Sequence, residues 1–323
     1  MKCRPLEKVR GLDKWNIKKP LNMNLEYEIT KLKREKNAII LVHNYQRPEV
    51  QDMSDYLGDS LGLSKEAANT DADIIVFCGV KFMAETAKVL SPDKTVILPR
   101  PEKEIGCPMA DMVAVEDLRA LKEKYPEAKV VSYVNTNADV KAESDACCTS
   151  SSAVQVVQNI EADKVIFLPD RNLASYVSRF VNKEIIPWNG YCYVHNRITK
   201  EEVIKAKKEH PDAILLVHPE CRPSVIDLAD EVLSTGGIVR KARESKNKKF
   251  LIGTEAGILY RLKKENPDKE FYTAGIPKVC QNMKRTTLND VYLTLNKELY
   301  SVEVPSNIMR GAKKALEEML KYA

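Results

Sequence analysis

The sequence is short of long apolar runs. Its longest, such as Ala38 to Val42 and Ala213 to Val217, hold five residues, far below the ~18 that a membrane span needs. No span is expected. Residues Met1 to Pro20 mix Lys, Arg, Glu and Asp without the apolar stretch of ~7–15 residues that marks a secretory signal. The expected location is cytoplasmic. An excess of one charge is lacking too: 51 basic against 46 acidic residues leave +5, and the basic residues form only short pairs such as Lys207-Lys208. No stripe exists that could displace counterions from a nucleic acid, so no nucleic-acid partner is expected. GxxxxGK[ST], GxGxxG and GxSxG are all absent, which removes nucleotide-driven and serine-hydrolase readings. What the chain does have is eight cysteines. In a reducing compartment they favour metal, cluster or catalytic use over a disulfide framework.

Short β-branched runs alternate with helical patterns along the whole chain, among them Asp73 to Phe77, Lys129 to Tyr133, Lys164 to Leu168 and Lys249 to Ile252. Continuous apolar strands between helices indicate parallel sheets covered on both faces. The expected class is α/β. Three segments, starting at Phe77, Phe167 and Leu251, each run strand, loop, helix, strand and end in Cys107, Cys192 and Cys280. Those cysteines lie 85 and 88 residues apart, and each unit opens with a strand leading into "VHNYQ", "YVNTN" or "VHPEC". A fixed period of this kind marks repeated structural units. The expected organisation is three α/β/α domains around a pseudo-threefold axis, over residues 24–107, 108–192 and 193–280. Residues 1–23 form an unassigned extension, and the helical segment 281–323 is expected to pack back on the first domain.

If three units face one another, equivalent positions converge on a central pocket at the carboxyl ends of the strands. Cys107, Cys192 and Cys280 could then give three thiolates to one centre. Iron-sulfur cubanes usually take four thiolates, so three would leave one iron open to act as a Lewis acid. Any one of these cysteines could equally be a small buried hydrophobe; recurrence in three units argues against that. Cys78, Cys147 and Cys148 look like core residues, Cys3 lies in the extension, and Cys221 sits near the expected site. Of four histidines, His43 and His218 follow strands at equivalent positions and His195 follows Cys192, beside Tyr45, Tyr133, Asn135 and Glu220. Together they suit acid-base work. Ser60, the Thr149–Ser152 hydroxyls and Ser234-Thr235 open helices, where backbone N–H groups favour anions, although ordinary capping uses the same residues. Two other readings stay open: a zinc enzyme using the three cysteines with His195, and a non-catalytic sensor of a small anion.

Ten ordered motifs, including "ILVHNYQ" from Ile40, "CPMA" from Cys107, "PDRNL" from Pro169, "VHPEC" from Val217, "STGG" from Ser234 and "IGTE" from Ile252, resemble quinolinate synthase over about residues 24 to 323. The resemblance implies a transferase of de novo NAD biosynthesis. It would condense iminoaspartate with dihydroxyacetone phosphate to quinolinate, releasing phosphate and water. It implies one 4Fe-4S cluster per chain, held by Cys107, Cys192 and Cys280 with one open iron. It also implies Tyr45, Glu220, His195 and His43 as catalytic groups. Substrate contacts would come from His43, Ser60, Tyr133, Val134, Asn135, Ser150, His218, Pro219, Glu220 and Thr235, and functional coupling to the enzyme that makes iminoaspartate is implied as well. One departure stands out: the second cysteine is followed by Tyr193-Val194-His195, where this family often has Pro-Val-His.

Overall fold

The computed structural model describes residues 24–322. Its strands are β1 (Ala38–His43), β2 (Tyr56–Gly58), β3 (Ile74–Cys78), β4 (Thr95–Ile97), β5 (Lys129–Tyr133), β6 (Ala146–Cys148), β7 (Lys164–Leu168), β8 (Glu184–Pro187), β9 (Ile214–Val217), β10 (Glu231–Val232), β11 (Lys249–Gly253) and β12 (Glu270–Thr273). They form three four-stranded sheets with one connectivity: β2-β1-β3-β4, β6-β5-β7-β8 and β10-β9-β11-β12. All pairings are parallel. The two central strands of each sheet are apolar and almost wholly buried, as in Ile74–Cys78 and Val165–Leu168. Helices on both faces supply that cover, so the class is α/β with three flanked sheets.

Register fixes which positions correspond. Cys78, Leu168 and Gly253 lie beside Val42, Ser132 and Val217 in the neighbouring strand. The residues that follow therefore occupy equivalent places, with Val80, Asp170 and Glu255 two steps on. After each second strand a helix begins: Ser60–Asn69, Ala153–Asn159 and Thr235–Glu244. Asp59 and Ser234 cap two of them, accepting from the N–H groups of Gly62 (3.0 Å) and Gly237 (3.1 Å). Capping residues at such positions satisfy otherwise orphaned donors. Asp59 also accepts from Gly236 N–H at 3.2 Å, joining the first unit to the third. A Cβ at Gly236 would stand 2.4 Å from that carboxylate, so only glycine allows the approach.

The tail departs from expectation, because it divides between two units. Helix Leu288–Lys297 packs on helix Leu25–Glu35 and β3 of the first, and Val302 N–H bonds to Val96 O at 2.8 Å on the edge strand β4. Helix Ser306–Lys321 instead lies mainly on β6 and helix Ala138–Ala142 of the second. The reason is shape. Ala312, Ala315, Leu316 and Met319 form one apolar stripe against Ala146, Cys147 and Cys148, a helical spacing matched to small edge residues. Gly311 permits the closest contact: a Cβ there would meet Ala142 O at 2.7 Å. Among the described residues no helix is long and apolar enough to cross a membrane.

Candidate active site

Where the three units meet lies a cavity of about 70 Å³. All the nominated cysteines, histidines and catalytic groups line it, with Ser60, Tyr133, Asn135, Thr149, Ser150 and Thr235, whereas Val134, Ser151, Ser152, Pro219 and Ser234 do not. Val134 and Pro219 sit in the bend and the turn that follow their strands, and their side chains point away from the cavity. Val134 goes into the second unit's apolar core and donates its N–H to Cys148 O at 2.8 Å. Tyr133 and Asn135 on either side reach the cavity, as do His218 and Glu220 around Pro219.

The first strands of the first and third units deliver their pairs by the same local geometry. His43 Nδ1 accepts from Tyr45 N–H at 3.2 Å, and His218 Nδ1 lies 3.3 Å from Glu220 N–H. Tyr45, Asn135 and Glu220 thus occupy one repeated position with three chemistries: phenol, amide and carboxylate. The carboxylate is enclosed. Glu220 Oε2 stands 3.1 Å from both His195 Nδ1 and His218 Nδ1, while Oε1 is buried without a partner. Burial alone would raise the Glu220 pKa, but the two imidazoles hold it well below the usual carboxylate range. Asn135 Oδ1 is likewise buried and unpaired; partners for such atoms are expected when a site fills.

From His195, whose Nδ1 is buried without a hydrogen-bond partner beside Glu220, a hydrogen-bonded chain continues outward. His195 Nε2 is 2.8 Å from Thr254 Oγ1, which in turn is 2.5 Å from Tyr45 Oη. Burial raises the Tyr45 pKa, with the Thr254 contact opposing, so its phenol stays protonated at neutral pH. His43 is pushed down to about 4, chiefly by burial, and is neutral there. Thr254 was not foreseen. It follows β11 at the place occupied by Gly79 and Pro169 in the other units, so the repeat gave no polar equivalent to notice.

Cys107, Cys192 and Cys280 each precede a single 3₁₀ turn: Ala110–Met112, His195–Arg197 and Met283–Arg285. Each carbonyl accepts from the N–H four residues on, at 3.1, 2.9 and 3.2 Å. The same turns aim backbone N–H groups at sulfur, from Met109 and Ala110, from His195, and from Asn282 and Met283. All three thiols are free. Burial pushes the Cys107 thiol up to about 12, and the Cys280 charge adds to it; Cys192 is raised by burial, Glu220 and both other thiols. Three thiols that oppose one another's ionisation share one small space. Behind two of them stands a carboxylate: Asp170 Oδ2 accepts from Cys192 N–H at 2.9 Å and Glu255 Oε1 from Cys280 N–H at 3.1 Å. Cys192, His195 and Glu220 also bring ligand atoms within 4.8 Å of one another.

Four other cysteines stand apart from the cavity. Cys78, Cys147 and Cys148 are buried strand residues, and Cys221 directs its thiol at Gly253 O, 3.3 Å away. Cys3 and the rest of residues 1–23 lie outside the described residues.

Three α/β units that each give strand-end polar groups and one cysteine to a shared cavity define an enzyme-like class, with a site made of symmetry-related positions. A family model described as Quinolinate synthetase A protein matches residues 27–321. The quinolinate synthase of Thermodesulfovibrio yellowstonii is 56% identical over 294 residues, which covers 91% of this chain and 96% of that protein. That of Caldicellulosiruptor saccharolyticus is 54% identical over 300 residues, covering 93% and 98%. The archaeal one from Methanosarcina barkeri is 52% identical over 292 residues, covering 90% and 95%. The chain belongs to the quinolinate synthetase A family.

Proposed function

We propose that this protein is a quinolinate synthase, a transferase that condenses iminoaspartate with dihydroxyacetone phosphate to give quinolinate, phosphate and two waters in NAD biosynthesis. The observation that carries the reading is one free thiol from each unit on the wall of a cavity that also holds the Glu220–His195–Thr254–Tyr45 chain. The donor set fits a 4Fe-4S cluster. It offers three sulfurs, each already met by backbone N–H groups that favour thiolate, with no fourth cysteine on the wall among the described residues. When bound, such a cluster would supply Lewis acidity at an iron without a protein ligand.

The chain's own residues account for the rest. Ring formation requires C–C and C=N bond formation, loss of phosphate, enolisation and loss of water, with no net redox change. Each step moves protons. Glu220, ionised and flanked by two imidazoles, can accept a proton and pass charge to His195, while Thr254 and Tyr45 extend the relay to the opposite wall. Tyr45 holds its proton to donate to a leaving hydroxyl. Ser60, Ser150 and Thr235 stand on the wall beside the openings of helices, where dipoles and N–H groups suit the two carboxylates and the phosphate of the substrates.

A zinc reading has one observation in its favour, the Cys192–His195–Glu220 cluster. That cluster holds one of the three thiols that the zinc reading, with Cys107, Cys192, Cys280 and His195, would use. Anaerobic preparation separates the two: about four irons and four sulfides per chain support the cluster, and stoichiometric zinc without sulfide refutes it. Cys107→Ser, Cys192→Ser and Cys280→Ser should each lose iron and activity together. If the loaded protein makes no quinolinate from the two substrates, the function is wrong.

A further inference from the structure

Behind one wall of the candidate active site lies a second, roomier cavity of about 420 Å³. The turns that open the helices of all three units separate the two, because neighbouring residues in each turn face opposite spaces. Ser60, Ser150 and Thr235 line the inner cavity, while Gly62, Ser151 and Gly236 line the outer one. Asp59 and Leu61 line both. The partition is therefore one turn thick, and where its first and third units meet it is bridged by Asp59 Oδ2, which accepts from Gly236 N–H at 3.2 Å and from Ser234 Oγ at 3.3 Å.

The outer cavity is one-sided in charge. Lys65, Arg240, Arg243 and Arg261 line it against Asp59 alone, and that carboxylate is already engaged by Gly62, Gly236 and Ser234. Arg261 is built into the fold: it donates to Asn44 Oδ1 at 2.9 Å and Leu57 O at 2.6 Å, and pairs with Glu265 at 2.6 Å. Arg240 and Arg243 are exposed, and among the described residues neither makes a hydrogen bond of that kind; Arg243 has the exposed Glu244 3.8 Å away. Loosely held guanidinium groups around a concavity focus its field and raise the local concentration of anions.

We propose that this outer cavity is the antechamber through which anionic substrates reach the active site, with Arg240 and Arg243 drawing in small dicarboxylates and phosphate monoesters. The inference rests on the function proposed above, whose substrates carry two carboxylates and one phosphate. An anion that crosses the partition arrives at Ser60, Ser150 and Thr235, the hydroxyls assigned to those groups.

The test uses anaerobically loaded full-length protein and takes quinolinate, a dicarboxylate, as the probe, its association followed in stopped flow by the cluster absorbance. In wild type the association rate constant should fall steeply between about 0.02 and about 0.3 M salt, as screening shortens the reach of the arginines. Arg240→Gln/Arg243→Gln should lower it about tenfold at the lower salt and flatten the salt dependence, with kcat at saturating substrate unchanged. Lys205→Gln/Lys248→Gln alters net charge equally at residues that line neither cavity, and should stay within about twofold of wild type. Salt-independent association in wild type overturns this inference, as does an equal fall in the control pair. So does an arginine double variant that associates as fast as wild type, or whose only change is faster release. Wild-type protein that binds no quinolinate overturns the proposed function, and this inference with it.

Discussion

The first unit and the other two share a backbone and part company in chemistry. Strand order, the opening of the second helix and the 3₁₀ turn after the cysteine are common to all three. Two residues beyond the third strand, however, the second and third units place Asp170 and Glu255 behind their cysteines, and the first places Val80. Asp170 also caps helix Arg171–Val177 through the N–H groups of Asn172 and Leu173, whereas helix Lys81–Leu90 starts from Val80 with no side-chain cap. One position inward, the units offer Tyr45, Asn135 and Glu220. Repetition brings positions together, and divergence at those positions makes the site asymmetric.

The sharpest way to break the comparison is to erase the one carboxylate among those three equivalents. Glu220→Gln keeps the shape and removes the charge between His195 and His218. Loss of a positioned general base costs roughly 10²–10⁴ in rate, and kcat should fall by about 10³ with iron content unchanged. A kcat within about twofold of wild type would move the base elsewhere in the cavity.

Asp170→Ala tests the next level down. It removes the acceptor for Cys192 N–H and a helix cap at once. Partners of ligands typically change metal affinity by about 10–100-fold, and the variant should lose iron to a chelator faster by that factor. Equal retention in variant and wild type would show that the carboxylate serves the helix alone.

His43 sets the first unit apart from the second in another way, because its counterpart Tyr133 stays neutral throughout the acid range. With a folded pKa of about 4 against ~6.5 unfolded, the unfolded chain binds the proton first as pH falls. Its contribution is therefore whole above pH ~6.5 and is lost on the way down to pH 4, about 3 kcal/mol in all. The charged and titratable groups around it are Asp59, Lys284, His218 and Glu220. In denaturant titrations at pH 7 and pH 4.5, His43→Gln should show a smaller acid loss than wild type by roughly 2–3 kcal/mol. Parallel curves would mean that acid sensitivity comes from the carboxylates.

The sequence carried the repeat and the three cysteines because both are local in pattern: buried parallel strands read as unbroken apolar runs, and each cysteine closes its unit at a near-constant interval. It also carried the strand-end pairs, since His43, Tyr133 and His218 sit at the ends of such runs. What could not be read depended on contacts between units. Thr254 meets Tyr45 across 209 residues of chain, and nothing in "IGTE" says which unit's phenol will face it. Tyr193 pairs with Gln281 across 88 residues, and its reach depends on how the second and third units pack. The tail misled for a similar reason. Its alanine-rich stripe fits several surfaces, and the choice of β6 was made by the small residues there and by close approach at Gly311.

Val80 gives the smallest effect and the cleanest control on the comparison between units. It is almost fully buried, lines the cavity and belongs to the core shared by the first and third units, but it offers neither cap nor acceptor. Val80→Ala therefore removes two methyl groups and no polar contact, a loss of about 2 kcal/mol in transfer and cavity terms. Unfolding free energy should drop by that amount while iron retention against a chelator stays at the wild-type level. The contrast with Asp170→Ala carries the argument, since equivalent backbone positions would then differ in kind, one holding the fold and the other the centre. Should Val80→Ala release iron as fast as Asp170→Ala, retention tracks the packing of the cavity wall and the carboxylates behind Cys192 and Cys280 have no special part in it.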